Sequence, residues 1–434
     1  MNSKKGTPSM KRSLLPLVML VLTMQGCMNQ NIIEENEPVQ MDTGNAKEQI
    51  EIWHTYSDEE TRIFEQEVIP LFEKENPEID VKPVRQPHNE QLMSALISRA
   101  SVNRTPDIIR MDITWLPKFA DLELLYPVSE FDDFEEVKER FYFPPLESNR
   151  YGDDYYGLPL NTNTKAAIFN KDTVEELELG QLPRTMDNLL KIVEENQLKI
   201  AMNDVSPWSS LPYFYGLGGK LLSPQYTQAA GYLDSRESIE AVERLVQLYE
   251  NGNFPPEILK GYPQTWEKIR TGEYFMIDEG PWFYSVHSLL DIEVLKRQTV
   301  SAPFPSNEVF TSVLGGENAV ITKGSEHREA SWTFIKWLTT ETPQKLLLTA
   351  GVLPTNTEVE MASIVEQYPY YESYIESINR TFLRPPVPQW SEINSIYTEY
   401  FRLMFSGELS AEEGLKKAAE EIDELLIYRE DEEE

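Results

Sequence analysis

The side chains best placed to do chemistry in this chain are aromatic rings set beside short polar residues in turn-rich segments. Trp208 follows Pro207 in SPWSSLPYFYGLGGKLL at 206–222, with Tyr213 and Tyr215 close behind. Three rings within eight residues, between turn-formers, read either as a stacking platform or as a satellite hydrophobic cluster. Trp282 follows Glu279-Gly280-Pro281, where Gly and Pro mark a loop, and Trp390 closes PVPQW just before a helical pattern. Asp112 and Trp115 come directly after the apolar run Asp107–Met111, at the carboxyl end of a strand, where α/β sheets expose ligand loops. Asp112 reads equally as the N-cap of the helix beginning near Leu116. His54, Thr55 and Tyr56 occupy the first strand-to-helix turn. Rings offer flat faces to apolar C–H surfaces and short polar groups bond hydroxyls, while Arg and Lys are sparse in these loops. That combination suits a neutral polyol better than an anion. Trp115, Trp208 and Trp282 would alternatively form a cage for a cation. Trp332 and Trp337 differ: at helical spacing with Phe334, Ile335 and Leu338 they belong to core or to a partner surface.

Signals for bond-making are missing. The sequence has no G-x-S-x-G elbow, no H-E-x-x-H, no P-loop and no dinucleotide glycine fingerprint. Its four histidines, at 54, 88, 287 and 327, are too scattered to suggest a metal site, and no cofactor is expected. A carboxylate pair able to cut a glycosidic bond is conceivable. With 73 acidic residues, however, some pair arises by chance.

The elements that must position these residues alternate. A strand at Gln49–Trp53 leads into a helical pattern over Asp58–Glu75, with Asp58 as its cap and Asn76-Pro77 as its stop. Further strands open at Ile79 and Asp107, and further helices at Glu90–Ser101 and Leu116–Leu125. Strand and helix in units of roughly 30 residues predict an α/β fold with a parallel sheet. Beyond them, helices are predicted at Pro183–Asn196, Ser235–Asn251 and Glu329–Thr339 and a strand at Val313–Thr322. The stretch from Glu358 is mostly helical and ends in the acidic, solvated Glu430–Glu434.

The N-terminus sets the compartment. MNSKKGTPSMKR carries four basic residues, and SLLPLVMLVLTM at 13–24 is apolar but too short to span a bilayer. Gln25-Gly26-Cys27 follows, and Cys27 is the single cysteine of the chain, placed where a bacterial lipobox puts the lipid-modified residue. Residues 1–26 are therefore expected to be a signal peptide. Residues 27–47 then form a polar tether from a lipid anchor on the outer face of the cell membrane. A formal charge of −34 argues against nucleic acid, whose binding needs a basic face.

Seven segments in order carry a resemblance: IEIWHTYSDEE, NRTPDIIRMDITWLPKFADLELLYPVSEF, YYGLPLNTNTKAAIFNKD, GEYFMIDEGPWFYSV, GGENAVITKGSEHREASWTFIKWLTT, GVLPTNTEV and RPPVPQWSEINSIYTEYFRLMFSGELSAEEGLKKAAEEI. Together they resemble the extracellular solute-binding proteins of bacterial ABC importers, in the sugar- and maltodextrin-binding branch. The resemblance implies a periplasmic-binding-protein-like fold of two α/β lobes, each a mixed sheet flanked by helices. The lobes interleave, an N-lobe from 48–159 and 304–352 and a C-lobe from 162–302 and 356–434. Hinge crossings would lie near Leu158–Asn161, Ala302–Phe304 and Gly351–Thr355. It also implies that the Gly-Pro-Trp turn at Trp282 faces the cleft and that Asn161 and Asn163 sit where the first crossing opens it, there to bond hydroxyls or to satisfy turn backbone. Gly315-Gly316-Glu317-Asn318 reads either as bare backbone set against the cleft or as a tight turn needing positive φ. The implied function is capture of a carbohydrate, an oligosaccharide above all, by a monomer that hands it to membrane permease subunits. A cationic or other small solute, a sensor subunit, and a glycan-active enzyme are the competing readings.

Overall fold

The computed structural model describes residues 47–427 apart from 103, 287, 288 and 311. The expected leader, Cys27, most of the expected tether and the acidic tail lie outside the described residues.

Among the described residues, twelve strands build two main sheets and a small hairpin. The first sheet contains β1 (Glu48–His54), β2 (Ile79–Arg85) and β3 (Ile108–Asp112), with β1 parallel to both neighbours. A hairpin of β4 (Arg150–Tyr151) and β5 (Asp154–Tyr155) precedes β6 (Gly157–Thr164) and β7 (Ala166–Asn170). The second sheet is β7 with β8 (Ile200–Ala201), β9 (Met276–Glu279) and β10 (Thr299–Pro303), in the order β10-β7-β9-β8. The chain then returns to the first sheet as β11 (Ser312–Ile321), and β12 (Thr381–Phe382) adds a short parallel pair to its beginning. Both sheets mix parallel and antiparallel pairs, β3 with β11 and β7 with β9 being antiparallel.

Each sheet is covered on both faces, as alternation along its strands requires. In the first, Ile50 and Ile52 pack with Phe64, Phe72 and Phe334, while Trp53, Ile109 and Met111 pack on the other side with Phe119. In the second, Ala167, Phe169 and Met276 meet Leu189, Phe214 and Phe401, and Ala166, Ile168 and Ile277 meet Ile269, Phe283 and Tyr374. Of the two places open to Trp332, core or partner surface, the fold gives the core: it is buried and stacks on Phe131 at 4.7 Å.

The predicted elements recur with small shifts. Arg236–Glu250 is a helix with Ser235 as its N-cap, the Ser235 hydroxyl accepting from the Ser238 amide. At the first helix the cap is Ser57, one residue before the expected Asp58; its backbone N–H donates to Glu60 Oε2 at 2.7 Å. The helix itself passes through a π turn at Phe64–Val68 before ending at Glu75. The larger difference is at 206–222, expected as a loop: Pro207–Gly216 is a helix. Pro207 at its first turn lacks an N–H the helix does not need, and eight of its ten residues are buried. Tertiary burial outweighs the second proline, Pro212.

The pair β6–β11 decides where a cavity opens. The two strands run antiparallel from Gly157/Val320 to Thr164/Leu314, with an irregularity between Glu317 and Asn318. Leu158, Leu160, Ala319 and Ile321 sit in the core of the first sheet, whereas Val313 sits in a core of the second. Lys165 alone separates β6 from β7, so the chain steps from one sheet to the other with no slack.

Candidate binding cleft

A cavity of about 1300 Å³ is lined by the middle of β6 and β11, by loops at the ends of β1, β2 and β3, and by residues around Trp208, Trp282, Gly351 and Arg384. Its floor is a hydrogen-bonded set of charges. Arg110, buried on β3, donates from Nη1 to Thr55 Oγ1 at 2.6 Å and from Nη2 to Asn161 Oδ1 at 3.1 Å, and pairs with Glu317 Oε2 at 2.8 Å. Asn161 Nδ2 donates to the same Glu317 oxygen at 2.6 Å. The guanidinium lies 4.2 Å from the centroid of Tyr56, whose hydroxyl is buried without a partner. Burial pushes the Tyr56 phenol up; burial also works against the Arg110 cation, but Glu317, Tyr56 and Glu60 together outweigh it and raise Arg110.

Asp112 projects from the end of β3, and its Oδ1 accepts from the Thr114 backbone N–H at 2.8 Å and hydroxyl at 2.6 Å. That is a turn of its own, so Asp112 is not the N-cap expected at this helix. Its Oδ2 stands 3.6 Å from Nε2 of His88, which lines the cavity from the loop after β2. Burial works to raise the Asp112 carboxyl, but His88, Arg384 and Thr114 together hold it well below the usual carboxylate range. The Asp112 contact in turn raises His88.

Another part of the lining is aromatic. Trp208, in the first turn of its helix, and Trp282 face one another with centroids 6.2 Å apart and planes inclined by 31°. Trp208 approaches β11 closely because Gly315 has no side chain: a Cβ there would lie 2.8 Å from the indole. Trp282 is held by the buried Glu279, whose Oε1 accepts from its indole Nε1 at 2.8 Å and from the Gly280 N–H at 3.0 Å. Glu279 Oε2 accepts from Trp266 Nε1 at 2.7 Å. Beneath Trp208, the fully buried Lys165 binds Asp278 Oδ2 at 2.5 Å, and Tyr213, on the same helix as Trp208, donates to Asp278 Oδ1 at 3.0 Å. Burial outweighs Lys165 and pushes the Asp278 carboxyl up to about 6.

A cavity between two sheet-based bodies, with aromatic rings on one wall and fixed polar groups on another, is built to hold a small solute. Comparison with known proteins gives the family. Residues 67–372 match the model of the bacterial extracellular solute-binding protein family. The chain belongs to that family. Among relatives, a maltotriose-binding protein of Pyrococcus abyssi is 24% identical over 388 residues, covering 86% of this chain and 81% of that protein. The same two-lobe fold occurs in the sugar-binding protein MalE of Xanthomonas citri, at a TM-score of 0.78 and 20% identity over 88% of this chain and 98% of that one. It occurs again in the GacH receptor of Streptomyces glaucescens, solved unliganded and with acarbose, at 0.72 and 22% over 88% and 98%.

Within this solute-binding protein, six of the nine residues singled out from the sequence line one cavity: Tyr56, Asp112, Asn161, Asn163, Trp208 and Trp282. Three do not. His54 lies wholly inside the first sheet's core, its ring against Tyr56 and Phe64 at 5.3 and 5.1 Å, because it is the last residue of β1 and points inward. Trp115 packs into the core with Met111 and Phe119, its outer edge against His88. Trp390 is buried at the start of helix Trp390–Phe405, among the residues that pack behind Trp208. The cage of Trp115, Trp208 and Trp282 is therefore not assembled. Gly315 and Gly316 do bring backbone to the wall. Among the described residues no cluster of His, Cys, Asp or Glu could hold a metal ion.

Sequence reasoning missed the arginines. Arg85, Arg110 and Arg384 all line the cavity, so basic side chains are not sparse there. Arg110 left a signal, a lone cation in the strand IIRMD between apolar neighbours. Arg384 left none in RPPVP beyond its type.

Proposed function

We propose that this solute-binding protein captures a carbohydrate, specifically an oligosaccharide, between its two lobes and delivers it to an ABC importer. The facing pair Trp208 and Trp282 carries the reading. Two rings 6.2 Å apart at 31° form an angled apolar wall of the kind that C–H faces of successive sugar rings stack on. In the same cavity, Asp112, Asn163 and the Arg110–Asn161–Glu317 set offer fixed donors and acceptors for hydroxyls. A volume of about 1300 Å³ exceeds the roughly 300–1,000 Å³ that hold drug-sized ligands, leaving room for more than one ring. The maltotriose-binding relative supports the same class.

In this mechanism the ligand meets one lobe first. The lobes then rotate shut about the strands that join them, and the closed form is what the permease reads. The lobe division 48–159 with 304–352 and 162–302 with 356–434 belongs to this proposal. The two main sheets fall on either side of it, except that β6 stays with β11 as far as Thr164 and β12 pairs with β11. Catalysis has no part in it: the chain binds as a monomer and releases the sugar unchanged.

A thermal-shift screen against neutral and acidic oligosaccharides, monosaccharides, polyamines and amino acids tests the reading. A ligand at 100 times its Kd stabilises a two-state fold by about 2.7 kcal/mol. Stabilisation by one oligosaccharide series is the expected result; stabilisation by polyamines or amino acids alone defeats it. Anchoring through Cys27 has its own test: Cys27→Ser is expected to move the protein from the cell-surface membrane fraction into the medium. Retention of that variant on the membrane contradicts the anchor.

A further inference from the structure

Arg384 stands apart from the other arginines of the cavity wall. Arg110 is paired with Glu317 and Arg85 with Asp58. Arg384 makes no ion pair and no side-chain hydrogen bond among the described residues, and its Nε is buried without a partner. Its guanidinium carbon lies 5.2 Å from the centroid of Trp208, the ring that forms half of the aromatic wall. Asp112 and Glu317 act on it through space, yet each is engaged elsewhere, Asp112 with Thr114 and His88 and Glu317 with Arg110. Burial accordingly holds the Arg384 cation below its ordinary range. A half-buried guanidinium whose Nε has no partner loses solvation that no protein group returns, and a group of that kind lining a binding cavity takes its partner from the ligand. The chemistry of that partner follows from the guanidinium. A cation lying over an aromatic ring keeps its in-plane N–H fork for two acceptor oxygens side by side.

We propose that Arg384 is a specificity-determining residue of the cleft, binding two adjacent oxygens of the sugar beside Trp208. This rests on the carbohydrate reading. The oxygens belong either to a vicinal diol of a neutral unit or to the carboxylate of an acidic one; the chemistry at the fork is the same.

Calorimetric titration of the purified full chain with neutral oligosaccharides and with oligouronides tests this, alongside Arg384→Gln and Arg384→Lys. Wild type is expected to bind one series, and which series it binds identifies the source of the oxygens. Arg384→Gln is expected to bind that series at least tenfold more weakly. Arg384→Lys, which keeps the charge without the fork, is expected to fall between. A second readout separates binding from structure: without ligand, Arg384→Gln should melt at or above the wild-type temperature, because a half-buried charge with no ion pair has been removed. Affinity in Arg384→Gln within twofold of wild type overturns the proposal, as does a loss of affinity accompanied by a lower melting temperature. Failure of the wild-type chain to bind any saccharide overturns the carbohydrate reading and this proposal together.

Discussion

Trp208 and Trp282 divide the aromatic work of the cleft between two rings whose supports differ. Trp282 is fixed through Glu279 at 2.8 Å, and Trp208 rests against bare backbone at Gly315. Replacing either by Ala is expected to weaken saccharide binding by about 1 kcal/mol, roughly fivefold to tenfold, without changing the fold. Titration against the ligand series found in the thermal screen, with circular dichroism as the fold control, checks this. His54 matters for stability instead. Both ring nitrogens are buried without a hydrogen-bond partner, and Glu65, 3.4 Å from Nε2, does not offset the burial. Burial, reinforced by Arg110 and Arg85, lowers its pKa to about 4. Below its ordinary value near 6.5 the unfolded chain therefore binds a proton the folded chain refuses. Stability should fall as pH drops from about 6.5 to about 4, with a slope of at most ~1.4 kcal/mol per pH unit from this group. Urea melts across that range should show a shallower acid slope in His54→Phe, which keeps the ring contacts. At this scale the sequence displayed residue types but not directions. His54 and Tyr56 are two residues apart and both are buried in the first sheet's core, yet only Tyr56 also reaches the cavity wall.

Strands and helices were more legible than side chains. Period and caps located β1, β3, β11 and Arg236–Glu250 to within a few residues, because amphipathic spacing and Ser, Asn or Pro at the ends act locally. The helix Pro207–Gly216 escaped because its two prolines and many rings mimic a loop. Its helicity comes from burial against distant elements, among them Tyr397 and Phe401. The element most exposed to mutation is β11. Gly316 has a φ of +137°, and a Cβ there would sit 2.3 Å from the Asn161 carbonyl oxygen and 2.9 Å from the Thr162 Cα. Both obstacles are backbone, so the strand pair itself must move. Gly316→Ala is expected to cost about 2–3 kcal/mol and to shift Asn161 and Glu317 out of register with Arg110. A lowered midpoint of urea unfolding together with reduced ligand affinity is the expected signature; wild-type values for both contradict it.

For the whole molecule, the proposed binding residues and the strands that link the two sheets are the same pieces of chain. Asn161 and Asn163 on β6 and Gly315 to Glu317 on β11 line the cavity while their strands reach the cores of both sheets. On the proposed function this links ligand contact to lobe angle, and saturating ligand is expected to reduce the radius of gyration measured by X-ray scattering in solution. An unchanged scattering profile under saturation contradicts closure. The two-body plan could be reached from the sequence only through resemblance to a family, since strand order across 150 residues leaves no periodic trace. That order also imposes a timetable. The first sheet has β1 to β3 near its start, but β11, which flanks β3 and β6, ends at Ile321. A chain made from its N-terminus onward therefore holds an unfinished sheet through most of its synthesis. Such pairing between distant segments is slow to form. For a protein of an extracellular family, lateness is useful: the first sheet stays unfinished, and the polypeptide threadable, until about three quarters of it has been made.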